Sequence, residues 1–262
     1  MIRFSPGLGN AALGRNRLFL RGILRMTRYV KIGLGTSAAY CIENDGRCIL
    51  VDAGNCHKEK RFFTALKKKG IDPGQIELIV ITHVHYDHVG SLQAIQNICR
   101  CPVAVHKREA HLLQEGTVVL PPGITFLGRV VMALGKRALR RFPSFFSFQP
   151  VDPDIILSDG MTLEEFGIPG SIVHTPGHTE GSVTVILSSG EAFVGDLAIN
   201  YLPFGLGPYF PPFAEDVNVL LKSWADLLDM GAKRIFPAHG ESFPAEKLRS
   251  RGCRFKSRPI GF

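Results

Sequence analysis

Short apolar runs alternate with polar, glycine-bearing turns along most of this chain, a spacing that predicts strands and helices in succession. Residues 38–42 and 48–51 are two such runs, and the Asp45-Gly46 pair between them reads as a hairpin turn. A helix is expected over 59–69, with Phe62, Phe63 and Leu66 on one face and Gly70 at its end. Residues 76–81 form a buried strand that runs into Thr82-His83-Val84-His85-Tyr86-Asp87-His88, and 89–98 then reads as a helix. A strand at 102–105 and a short helix at 107–114 follow. Further strands are expected at 172–174, 183–187, 192–194 and 234–236. An amphipathic helix at about 216–228 precedes the last of these, with Gly231 as its stop. Two β-rich halves separated by helices suggest an α/β (α+β) fold of two sheets with helices outside.

The segment 116–150 breaks this rhythm and reads as an insertion. Pro121-Pro122-Gly123 opens it. An amphipathic helix is expected at 130–139, with Lys136, Arg137, Arg140 and Arg141 on or near its polar side, and Phe142, Phe145, Phe146 and Phe148 follow. Such a segment suits a lid over a substrate, a peripheral membrane contact through 124–148, or simple packing on the body with a solvated basic face.

Charge changes the picture mainly at the ends. The chain of 262 residues has 31 Lys and Arg against 23 Asp and Glu, a net charge of +8. Seven of the basic residues fall in residues 1–31, which hold no acid, so nearly all of the excess sits there. Further basic stretches lie at 129–141 and 247–258, and the remaining body is acidic, unlike a uniformly basic nucleic-acid binder. Residues 1–28 are expected to be a basic extension, open to disorder, most of it upstream of a truer start at Met26 or else a transit-like segment, with a single domain over 29–262. Hydrophobic residues at 45% suit a globular chain, and no uncharged apolar run approaches the ~20 residues that cross a bilayer. Six irregularly spaced cysteines without a secretory signal read as reduced thiols, so a cytoplasmic setting is expected. Gly7-x-Gly9 has no strand before it and no lysine after it, so it is not a nucleotide loop.

Three of the nine histidines, His83, His85 and His88, fall within six residues around Asp87, where a buried strand gives way to a helix. Residues two apart on extended chain point the same way, so His83 and His85 can face one ion, and the turn into the helix brings Asp87 and His88 to a neighbouring point. Neutral imidazole and carboxylate suit zinc. One segment cannot close a coordination shell. Asp52, His178, Asp196 and His239 stand beside glycines at other strand ends and are the candidates to complete it. His57 and His111 read as solvent-facing, and His106 and His174 as core or surface histidines.

With His83-x-His85-x-Asp87-His88 followed in order by His178, Asp196 and His239, and preceded by Asp52, the sequence resembles the metallo-β-lactamase superfamily. The resemblance implies a four-layer αββα sandwich and two divalent metal ions, zinc first, with manganese or iron as alternatives. It implies that His83, His85 and His178 hold one metal, that Asp87, His88 and His239 hold the other, and that Asp196 bridges them. Asp52 would orient a ligand histidine, and Asp87 would serve also as a proton carrier. The activity implied is hydrolysis of an ester, lactone or thioester by a hydroxide shared between the metals, acting on a small acyl or lactone substrate. Asp196 argues against a true β-lactamase. Only 23 residues follow His239, so the C-terminal helical domain of glyoxalase II enzymes has no counterpart. Acyl-homoserine lactonases are similar in having an insertion, although Tyr201 does not match their tyrosine securely. A phosphodiesterase and a mononuclear-iron persulfide dioxygenase are the alternatives.

Overall fold

The computed structural model describes residues 27–124, 126–200 and 209–249. Their strands form two six-stranded sheets packed face to face, with helices on both outer faces, as the αββα expectation requires. The first sheet holds β1 (Arg28–Gly33), β2 (Ala38–Asn44), β3 (Arg47–Val51), β4 (Ile76–Val80), β5 (Val103–His106) and β6 (Ile155–Leu157) in chain order. β1 to β3 pair antiparallel, and β3 to β6 pair parallel. The second sheet holds β7 (Gly160–Thr162), β8 (Gly170–His174), β9 (Val183–Leu187), β10 (Glu191–Gly195), β11 (Arg234–Pro237) and β12 (Phe243–Pro244), again in order, with β10 and β11 parallel.

The two-residue period of the strands decides which layer each side chain enters. Tyr40, Ile42, Ile49, Val51, Leu78 and Val80 point between the sheets, where they meet Val185, Phe193 and Phe236. Their neighbours Cys41, Leu50, Ile79 and Ile81 point outward against helices α1 (Glu59–Lys69) and α3 (Leu92–Cys99). On the other outer face, α6 (Val217–Asp229) covers the second sheet with Leu220, Trp224 and Leu227. Asp216 caps α6 by accepting from the amides of Asn218 and Val219, and the Trp224 indole donates to the Leu197 carbonyl at 2.9 Å.

The structure differs from the sequence reading in four places. The helix expected at 89–98 is broken into α2 (Tyr86–Val89) and α3, the backbone leaving helical geometry at Ser91 (φ −103°, ψ 9°), while Gly90 packs on backbone where a Cβ would lie 2.1 Å from the Cys56 nitrogen. Ser91 stitches the break by accepting from the Lys58 amide and donating to the Asn55 carbonyl. The helix expected at 107–114 is α4 (Ala110–Glu115). The first strand begins at Arg28, the last residue assigned to the basic extension, and residues 1–26 of that extension lie outside the described residues. The insertion helix, α5 (Phe126–Arg141), extends the expected 130–139 at both ends. No helix among the described residues is long and apolar enough to cross a membrane.

Candidate metal centre

The sheets deliver the candidate residues to one edge. β3 ends at Val51 and hands the chain to Asp52. β4 ends at Val80, just before Thr82, His83 and His85. β10 ends at Gly195 before Asp196, β11 at Pro237 before His239, and His178 sits in the turn between β8 and β9. The structure brings His83, His85, His178 and Asp196 into one group and Asp87, His88 and His239 into another, the ligand-type atoms of each lying within 4.8 Å of one another. Asp196 joins the two, with its carboxylate oxygens 3.4 Å from His88 Nε2, 3.3 Å from His239 Nε2 and 3.8 Å from His178 Nε2.

The histidines are oriented by what holds their far nitrogens. Asp52, buried and in the left-handed region at φ 62°, accepts from His88 Nδ1 at 2.8 Å, from the Thr82 amide at 2.8 Å and from the Thr82 hydroxyl at 2.8 Å. The same hydroxyl lies 3.1 Å from His83 Nδ1 and can accept its proton while donating to Asp52. His178 Nδ1 meets the Phe213 carbonyl at 3.0 Å, and His239 Nδ1 meets the Thr36 carbonyl at 2.9 Å. In each case an oxygen acceptor fixes a proton on Nδ1 and turns Nε2 toward the cluster, where it can offer a lone pair to a metal once any proton on it is lost. Thr36 also donates its hydroxyl toward Asp87 Oδ2 at 3.0 Å.

Electrostatics divide the cluster in two. Burial drives His83, His85 and His178 toward the neutral form; for His85, burial and then His178 push the pKa down to about 3. Burial also acts against charge on His88, but Asp52 and Asp196 outweigh it and lift His88 to about 10. His239 is raised in the same sense by Asp196 and Asp87. Burial would raise Asp87 and Asp196, yet His239 and His88 hold both below the usual carboxylate range.

Among the described residues three buried atoms have no hydrogen-bond partner: His83 Nε2, His88 Nε2 and Asp196 Oδ1. Orphaned buried polar atoms are costly and rare. Here all three belong to the cluster, and their chemistry, two imidazole nitrogens and a carboxylate oxygen, is that of a divalent metal site. The residues present therefore fit the metal that the sequence implies.

Other expectations resolve simply. His57 and His111 are exposed, as read. His106 and His174 stack on each other 4.1 Å apart and bond to the carbonyls of Ser158 and Glu180, which makes them structural. Tyr201 lies outside the described residues. Sequence reasoning missed Thr36, Thr82 and Phe213. Of these only Thr82 carried a signal, its place directly before His83.

Residues 32–239 match the family model described as the metallo-beta-lactamase superfamily. The chain belongs to that superfamily. All eight candidate residues fall inside the matched span. A similar curated protein is acyl-coenzyme A thioesterase MBLAC2 of Bos taurus, 31% identical over 182 residues that make up 65% of this chain and 58% of the relative. This metallo-beta-lactamase superfamily chain thus spans a little over half the length of that thioesterase. The probable metallo-hydrolase MJ0888 of Methanocaldococcus jannaschii is 25% identical over 198 residues, 74% of this chain and 82% of that one. Among solved structures, the archaeal metallo-beta-lactamase superfamily protein ST1585 from Sulfolobus tokodaii shares the fold. Its TM-score is 0.63 at 18% identity, over 89% of this chain and 88% of the other. The superfamily match and the paired His/Asp groups agree with a site built for divalent metal.

Proposed function

We propose that the chain hydrolyses a thioester or ester bearing an apolar acyl group, using two divalent metal ions, zinc first among them. In this reading His83, His85 and His178 bind one ion, Asp87, His88 and His239 bind the other, and Asp196 serves both. Such a pair supplies Lewis acidity for the scissile carbonyl and lowers the pKa of a shared water. Asp52 fixes the His88 tautomer, and Thr82 links Asp52 to His83. Asp87, which borders the cavity and lies 3.4 Å from His239 Nε2, takes the role of proton carrier as well as ligand.

The observation that carries the substrate reading is a cavity of about 260 Å³ opening on the cluster. Its polar end is His85, Asp87, His178, Asp196 and His239, and its walls are Leu120, Pro121, Val131, Met132, Phe146 and Phe213. Apolar walls with a few convergent polar groups are the usual form of a small-molecule site. Among the described residues no Lys or Arg lines the cavity, which favours an uncharged acyl group over the phosphate of a diester. The thioesterase named among the relatives supports the same bond type. Tyr86 and Phe146 pack edge to face at 4.8 Å and tie the insertion to the metal-side helix.

The test is metal content by mass spectrometry, then thiol release from acyl thioesters of graded length beside lactone and phosphodiester substrates. Two zinc ions per chain with preference for acyl thioesters is the expected result. A single iron with oxygen consumption on persulfides would overturn it in favour of the dioxygenase, and preference for phosphodiesters would overturn the substrate class.

A further inference from the structure

A surface helix ordinarily turns one apolar stripe inward and shows polar residues to water. Helix α5 departs from this. Val131, Met132 and Gly135 line the cavity. A second apolar side faces outward, with Val130 41%, Val131 44% and Leu134 62% exposed, and Phe142, just past the helix, 58% exposed. Arg137 and Arg141 continue the row begun by Val130 and Leu134, while Arg129, Lys136 and Arg140 stand beside it. The span between Glu115 and Asp152 contains no acid. These five cations have no ion-pair partner among the described residues; Arg141 stands over the Phe142 ring at 5.3 Å.

We propose that α5 docks this enzyme on an anionic lipid surface, with Val130, Leu134 and Phe142 entering the acyl boundary and the flanking arginines meeting headgroup phosphates and carboxylates. Exposed apolar groups interleaved with uncommitted cations are what such a surface selects. A phosphate backbone of nucleic acid would use the cations but would gain nothing from Val130, Leu134 and Phe142. Because Val131 belongs to both the exposed side and the cavity wall, the docked helix sets the cavity beside the lipid. An apolar acyl chain then passes to the metal centre with little exposure to water. The docking stands apart from the substrate reading, since it is read on vesicles and not by turnover.

The test uses the full, metal-loaded chain and vesicles of phosphatidylcholine alone or mixed with phosphatidylserine. Leu134→Trp reports insertion, because the native Trp224 is buried and its emission stays constant. The expected result is flotation with the phosphatidylserine vesicles, weakened by salt, and a blue shift of the new tryptophan. Arg137→Gln with Arg141→Gln should lower the partition coefficient about 30-fold, taking about fivefold per charge at the surface. Val130→Ser with Leu134→Ser should lower it as well, with unchanged Tm and metal content. The other basic stretches at 1–31 and 247–258 make flotation alone insufficient. Variants that float as the native chain does, an absent blue shift, or equal binding to neutral vesicles would each overturn the proposal.

Discussion

Asp52→Asn changes one atom in the buried carboxylate that aligns His88, and its consequence follows from the donor inventory. The Thr82 amide is a fixed donor 2.8 Å from Oδ1, so the carboxamide oxygen must settle there and the new NH2 must face His88 Nδ1. A donor now opposes a donor. When His88 gives up one proton for a metal to bind, the proton that remains now prefers Nε2, the atom 3.4 Å from Asp196, so the ring lacks the lone pair that would bind metal. The Thr82 hydroxyl keeps an acceptor 3.0 Å away at Oδ1, so His83 keeps its tautomer. The damage is therefore confined to the Asp87, His88 and His239 side. A charge-assisted hydrogen bond of this kind is worth about 1.5–3 kcal/mol, and loss of a group that orients a ligand weakens metal affinity roughly 10-fold to 100-fold. Competition with a chromogenic chelator should show one zinc retained near native affinity and the other weakened by that factor, with hydrolysis falling in step. Nitrogen NMR of His88 should report the tautomer change directly. Two ions held at native affinity in the variant would refute the assignment of Asp52. Equal weakening of both ions would refute the role given to Thr82.

Asp196→Ala should remove both metal retention and hydrolysis, since its carboxylate reaches His88, His178 and His239; intact metal content would sink the bridging role. At Gly135 an added Cβ meets nothing within 4 Å, so Gly135→Leu should fold with unchanged or higher Tm while filling the cavity. Acetyl thioester turnover should persist while kcat/KM for long acyl chains drops about fourfold per displaced methylene; equal loss at all lengths would refute the acyl slot. Gly90→Ala drives a Cβ into backbone at 2.1 Å and should cost about 1–3 kcal/mol or prevent folding, read by chemical denaturation. Metal uptake should release protons at neutral pH, because His88 is held protonated up to about 10 and must lose its proton to bind. Calorimetry in two buffers of different ionisation enthalpy measures this, and no buffer dependence would refute it. In the metal-free chain the sign is set by each shift. His88, raised, contributes stability below pH ~6.5 that is lost as pH climbs toward about 10. His85, lowered, contributes stability above ~6.5 that is lost as pH falls toward about 3.

What the sequence made legible was local in character. The alternation of Cys41, Ile42, Ile49 and Leu50 already separates the layer between the sheets from the layer under the helices. The ligand candidates advertised themselves because each stands at a strand end within two residues of a glycine or inside the histidine cluster. What stayed hidden depends on distant partners. β6 and β7, three residues each, are strands only because β5 and β8 pair with them. β1 was obscured by its charge: Arg28 read as the end of the basic extension and Lys31 as part of the acid-free stretch 1–31, but they bond Glu43 and Glu241, acids 15 and 210 positions away, while Tyr29 packs edge-on against Phe236. The same holds for the site. Nothing near Thr36 suggests a role, and its carbonyl becomes the anchor of His239 across 203 positions only when the strand ends of both sheets are brought to one edge. Residue types and spacing thus identify the groups that can bind metal. The backbone carbonyls and hydroxyls that aim them are chosen by topology, so the tautomers on which binding depends are a property of the assembled sandwich.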